Sequence, residues 1–234
     1  MRNAPLAVVA TMLVGLGAAC GPGDPPAIDA GALPLVPAQR AVTIETTGCG
    51  LAADRTGSGV AISDGLVLTV AHLVVKADEV VARVGDGDPM SAVVVAVDLN
   101  LDLALLRVPP NGVSSVDTSS VGTGSEGFIV GGATSGTVPF VVKQMVSLSI
   151  EQILGSDRHS RLGYELEAAT ANGDSGAGAY DVHDRMIGIV FATSDGGAST
   201  WITASAEVEK FLAGHASDSA PMACDPAASR LMLP

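Results

Sequence analysis

The apolar residues of this chain come in runs of strand length that stop at turn formers, and that punctuation limits what it can fold into. From Ala41 onward come segments at 42–46, 59–62, 66–70, 79–84, 92–97 and 103–108, four of which are followed directly by Gly, Asp, Ser or Pro. A second series occupies 127–131, 138–150, 161–167, 178–182, 186–193 and 201–203, followed by a helix-forming stretch at 204–212. Short apolar runs rich in β-branched residues and bounded by turn residues specify strands rather than helices. Pro109-Pro110-Asn111-Gly112 and the polar stretch 114–124 separate the two series. The reading is all-β: two six-stranded antiparallel β-barrels, about 41–115 and 121–216, with a short C-terminal helix. Hydrophobic residues make up 47% of the chain and aromatics only 3%, so the core has to be built from Val, Leu, Ile and Ala.

The N-terminus has a different character. Arg2 precedes an apolar run from Pro5 to Leu16 that ends in Gly17-Ala18-Ala19-Cys20. A positive start, a short apolar centre and small residues at the end describe an export signal over 1–20, and the run is short for a membrane span. Cys20 stands where a bacterial lipoprotein cysteine is acylated, although Leu16 is one position away from the usual Leu; lipidation of Cys20 and simple cleavage after Ala19 are both open. Residues 21–40 hold Pro22, Pro25, Pro26, Pro34 and Pro37 and read as an extended linker reaching roughly 60 Å, either a tether from a lipid anchor or a leader. The tail 217–234 carries Cys224. With Cys20 at the processed edge, Cys49 and Cys224 are left either as a pair or as two free thiols. In an oxidising compartment the pair would close a long loop, worth about 4–5 kcal/mol in the chain-entropy account.

Twelve basic against twenty-five acidic residues give a formal net charge of −13. Such a surface repels nucleic-acid phosphates and anionic lipid, which makes both poor partners; acidity serves solubility and identifies no substrate.

Three local strings carry chemistry. Leu66 to Ala71 is a buried strand that ends at His72; Asp102 opens the apolar run 103–106; Asn172-Gly173-Asp174-Ser175-Gly176 is a serine in a glycine-flanked loop. A serine hydroxyl becomes a nucleophile only beside a base, and a histidine is a base near neutral pH. A buried carboxylate fixes the tautomer of that histidine and steadies its protonated form. Glycines flanking the serine let main-chain N–H groups face an oxyanion, here those of Gly173 and Ser175. Each string alone is commonplace. Together, in the order His, Asp, Ser, they match the chymotrypsin arrangement and neither the subtilisin nor the α/β-hydrolase order; Ala177 also stands where the hydrolase elbow needs glycine.

Residues 57–60 through His72, 98–106 and 172–178 resemble the histidine, aspartate and serine regions of the HtrA-like bacterial trypsin-type serine proteases, over about 41–213 and without a following PDZ domain. In layout the chain is similar to the MarP-type periplasmic proteases of actinobacteria, which the stretch 203–208 also resembles. The resemblance implies a chymotrypsin-like fold, protein or peptide substrates, an exported location in the periplasm, cell envelope or outside the cell, and no cofactor. It assigns His72, Asp102 and Ser175 as the catalytic triad and joins Cys49 to Cys224. Several positions depart from the family pattern. Gly176-Ala177-Gly178 replaces Gly-Gly-Pro, and Phe191 stands where animal relatives place a serine against the aspartate. Asp174 calls for a cationic partner: Lys143 or Arg161 ahead of a new N-terminus freed at Arg40-Ala41, where the family's Gly-Gly is missing.

By the same resemblance the primary pocket has Ala169 as its floor with Thr170 beside it, 191–193 (Phe191, Ala192, Thr193) as one wall, and Thr200 projecting from the other. No carboxylate is present to pair with Lys or Arg, so small or medium uncharged residues are the expected fit. His159, His183 and His215 show no metal-ligand spacing, and Glu151, Glu165 and Glu167 read as surface charges. The reading is a serine endopeptidase; an inactive relative that binds peptides is the alternative. The oligomeric state is not encoded in any of these features.

Overall fold

The computed structural model describes residues 35–214 apart from 51, 135, 152–157 and 195–197. The export signal, Cys20, most of the Pro-rich stretch, His215 and the tail with Cys224 lie outside the described residues. The last part of the Pro-rich stretch is not extended: Leu35–Arg40 forms a helical turn, α1.

The first half contains β1 (Ala41–Gly48), β2 (Arg55–Ser63), β3 (Leu66–Thr69), the four-residue helical turn α2 (Ala71–Val74), β4 (Ala77–Val84), β5 (Met90–Ser91), β6 (Val93–Asp98) and β7 (Leu103–Arg107). They make a seven-stranded antiparallel sheet in the order β5-β4-β1-β2-β3-β7-β6. This departs from six strands in a closed ring. The run expected at 92–97 forms β6, which pairs with β7 at one edge, and an additional two-residue strand, β5, precedes it and pairs with β4 at the other. Only Ala92 lies between them, and its amide bonds to the Val80 carbonyl at 2.9 Å. The sheet therefore curls until its edges meet through a bend in the chain rather than through a ladder.

The second half contains β8 (Glu126–Val130), β9 (Thr137–Glu151), β10 (Arg158–Glu167), β11 (Gly178–Asp181), β12 (Met186–Thr193) and β13 (Thr200–Ala204), followed by α3 (Ser205–Gly214). Here the six strands close, in the order β10-β13-β12-β11-β8-β9. Together the halves form a chymotrypsin-like fold.

Alternation decides which residues enter each core. Along β1, Val42, Ile44 and Thr46 point inward and Glu45 and Thr47 do not, the period of a half-buried strand. The first core is aliphatic and runs on through Val130, Met186 and Ile189 to Val208 and Phe211 of α3. The barrel encloses a second core around Ile129, Phe140, Tyr164 and Ile202. The connecting stretch is stitched to both halves, by Val116 N–H to the Ile62 carbonyl (2.8 Å) and by Ser119 N–H to that of Met186 (3.0 Å). Arg40, buried at the end of α1, clamps it further by donating to the carbonyls of Ala61 and Ser114.

Candidate active site

The strand that leads to His72 stops at Thr69, and the histidine sits in α2. Asp102 holds that turn in three ways. Its carbonyl accepts from the Ala71 amide (3.2 Å), Oδ1 accepts from the His72 amide (2.9 Å), and Oδ2 lies 2.8 Å from His72 Nδ1. Asp102 has φ +54°, a left-handed conformation that aspartate tolerates better than most residues; this turn between β6 and β7 points its carboxylate at α2. With Nδ1 donating to the carboxylate, Nε2 is left as the basic nitrogen. The carboxylate is buried and the imidazole is about one-third exposed.

Arg161 supports this turn from the barrel side. It is almost fully buried, lies over the Phe191 ring (3.9 Å to the centroid) and donates to the Leu101 carbonyl. Burial pulls its pKa below the usual arginine value, and the nearby negative charges of Asp102, Asp98 and Glu207 oppose that shift. The expectation that Arg161 or Lys143 pairs with Asp174 is not met. Lys143 pairs with Glu165, and Asp174 accepts hydrogen bonds from the Thr134 hydroxyl and, at 2.8 Å, from the Ala171 amide. Two neutral donors thus satisfy the buried carboxylate. Nor does the structure offer Arg40-Ala41 as a source of a new N-terminus, since Arg40 is buried and Ala41 is already paired with Val60 in the sheet.

Main-chain geometry shapes the Ser175 loop. Gly173 and Gly176 have φ of +103° and +90°, which only glycine adopts without strain, and a Cβ on Gly176 would overlap the Ser58 carbonyl. From Asp174 to Ala177, the amides of Asp174, Gly176 and Ala177 donate to the carbonyls of Ala171 (3.1 Å), Val190 (2.8 Å) and Asp174 (2.8 Å). Among the described residues the amides of Gly173 and Ser175 have no protein acceptor. Ser58 of β2 ties the loop to the first sheet: its amide donates to the Ser175 carbonyl (2.8 Å) and its hydroxyl to that of Gly173 (2.8 Å). The same hydroxyl accepts from the amides of Gly132 and Ala133.

His72 and Ser175 line one cleft of about 320 Å³, with Arg55, Thr56 and Leu73 on the first-sheet wall and Thr170 to Gly173, Val190, Ala192 and Thr193 on the barrel wall. The expected pocket residues divide. Thr170, Ala192 and Thr193 line the cleft; Ala169 is exposed outside it, and Phe191 turns to Arg161. Phe191 sits at an irregularity of β12, where the register against β13 shifts between Val190 and Ala192, and its ring faces Arg161. Thr200 does not project into the space either: it is fully buried, with its hydroxyl 2.7 Å from that of Thr170 and bonded to the Ala168 carbonyl. His159 and His183 lie away from the cleft lining. Val190, Arg55, Leu73 and Thr134 are not singled out by the sequence, and no local signal marks them.

Residues 57–189 match the family model described as a trypsin-like peptidase domain. The serine protease Rv3671c of Mycobacterium tuberculosis is 30% identical over 166 residues, 67% of this chain and 41% of that protein. A probable periplasmic serine endoprotease, DegP-like, of Pseudomonas putida is 31% identical over 151 residues, 62% of this chain and 31% of that one. The chain thus spans less than half the length of these curated relatives. The crystal structure of the active form of the M. tuberculosis Rv3671c protease superposes with a TM-score of 0.72 at 27% identity, covering 80% of this chain and 86% of that one. The HtrA-type protease AlgW with a tripeptide, at 22% identity and a TM-score of 0.63, shares the fold.

Proposed function

The chain belongs to the trypsin-like peptidase family, and on that footing we propose that it is a serine endopeptidase with Ser175 as nucleophile, His72 as general base and acid, and Asp102 as the residue that orients His72. One observation carries this reading: Asp102 holds the ring and amide of His72 on one wall of a cleft whose other wall carries Ser175. In this scheme Nε2 of His72 takes the hydroxyl proton as Ser175 Oγ attacks the peptide carbonyl, and the carboxylate steadies the imidazolium so formed. The uncommitted amides of Gly173 and Ser175 stabilise the oxyanion of the tetrahedral intermediate. His72 then returns the proton to the leaving amine, and water repeats the sequence on the acyl-enzyme. Among the described residues no carboxylate lines the cleft, so a Lys or Arg bound on the acyl side would be desolvated without a partner; uncharged residues of small or medium size suit it.

Export belongs to the same reading. The 1–20 segment is composed as an export signal, and relatives include proteins described as periplasmic. Cys20 is the candidate lipid attachment point, and Cys49 and Cys224 form the disulfide expected outside the cytoplasm. The deciding experiment is peptidase assay of Ser175→Ala, which loses on the order of 10⁴-fold or more in kcat/KM while unfolding at the wild-type temperature. Activity within tenfold of wild type would remove Ser175 from the mechanism.

A further inference from the structure

Among the described residues that line the cleft Arg55 is the one fixed cation, and none of them is a carboxylate. This is unexpected for a chain of net charge −13. The side chain is also anchored. Nη1 donates to the carbonyls of His72 (2.7 Å) and Val75 (2.9 Å), closing the end of α2. Nε and Nη2 have no acceptor among the described residues. An anchored guanidinium has already given up much of its rotamer freedom, so a second partner costs less to bind. Its planar fork suits a carboxylate.

The position of Arg55 also says which part of a peptide it meets. Arg55, Thr56 and Leu73 stand on the first-sheet wall with His72, whereas Thr170, Val190, Ala192 and Thr193 stand on the barrel wall with Ser175. In the proposed reaction Ser175 keeps the acyl half, and His72 hands its proton to the amine that departs. The wall beyond His72 therefore faces the leaving half.

We propose that Arg55 forms a subsite for an Asp or Glu side chain of the substrate, within the first residues after the scissile bond. The subsite rests on the endopeptidase reading and gives it a substrate class: peptides with an uncharged residue before the cleaved bond and an acidic one after it. The competing account is that Arg55 only caps α2. A cap alters stability and the cleavage of all peptides alike; a subsite alters the ratio between acidic and neutral peptides.

The test uses the full chain and peptides identical except for Asp, Asn or Lys at the first or second position after the scissile bond. For the wild type, kcat/KM for the better Asp peptide exceeds that for its Asn counterpart roughly three- to tenfold, the range for a partly exposed charge-assisted pair, and Lys is cleaved least. High salt compresses the ratio, a readout that needs no variant. In Arg55→Gln the Asp/Asn ratio falls to about one, and Arg55→Lys retains part of it. Equal cleavage of the Asp and Asn peptides by wild type, or a ratio that survives in Arg55→Gln, would overturn the subsite. Titration of the same peptides onto Ser175→Ala separates the two readings. Preferential binding of the acidic peptide without turnover by wild type keeps the subsite and removes the endopeptidase; turnover without preference does the reverse.

Discussion

The two halves of the molecule hold their parts of the cleft by different means. In the first sheet a single side chain, Asp102, fixes both the amide and the ring of His72, thirty residues away in the same sheet. In the barrel the Ser175 loop is fixed by its own backbone, by two glycines at positive φ, and by Ser58, which the other half contributes. The His–Asp contacts thus lie within one half, with Arg161 of the barrel bracing the turn beside Asp102, whereas the serine loop takes two of its hydrogen bonds directly from the other half. Their edges differ in kind as well. The first sheet closes through a bend at Ala92, and the barrel closes through hydrogen bonds.

The hardest test of this contrast is Gly176→Ala. A Cβ there meets the Ser58 carbonyl and the Thr69 hydroxyl, and the strand that carries Ser58 cannot move without disturbing β1 and β3. The expected loss is about 3–5 kcal/mol in chemical denaturation, from backbone strain and overpacking together. A loss under about 1 kcal/mol would mean that the loop is not pressed against the first sheet.

Ser58→Ala sharpens the comparison at smaller cost. It leaves the Asp102–His72 contacts in place and strips a buried partner from the Gly173 carbonyl and from the amides of Gly132 and Ala133. Stability should fall by about 1–3 kcal/mol. The kcat should fall by roughly 10- to 100-fold, because the peptide after Gly173 loses its tether beside the proposed oxyanion donors. Destabilisation with an unchanged kcat would show that the loop holds its orientation without the other half.

How much of this could be read from the sequence depends on how local the cause is. The strand series, the division near residue 115 and the strings around His72, Asp102 and Ser175 are all set by neighbours in the chain. The structure brings His72 and Asp102 into contact and puts Ser175 on the facing wall. What escaped was decided by distant partners. The sequence calls for a cation at Asp174, yet two neutral donors serve it, one of them Thr134, which is 40 residues away. Phe191 was placed in the pocket wall, but its ring is drawn to Arg161 on another strand. The short strand β5, ahead of the expected 92–97 run, exists because β4 offers it an edge to pair with, which no pattern within two residues records.

The smallest effect concerns the barrel rim. Hydrogen bonds from Lys143, and next from Gln144, hold the Glu165 carboxyl down at about 2. A carboxyl depressed in the folded state stabilises above its ordinary value near 4.5, and that contribution disappears as pH falls through about 2. Solvent screening at the rim limits it to about 1 kcal/mol. Glu165→Gln should therefore be slightly less stable than wild type at pH 6–7, with the gap closing between pH 4.5 and 2 in thermal denaturation. A gap that stays constant over that range would assign the effect to packing instead.

Labelling with a fluorophosphonate reports whether Ser175 is activated, because only a serine activated by a base reacts with it quickly. The folded protein is expected to form one adduct, located at Ser175 by peptide mass spectrometry, and to lose it in His72→Ala while retaining its fold. Folded protein that forms no adduct, an adduct at another serine, or undiminished labelling in His72→Ala would contradict the account.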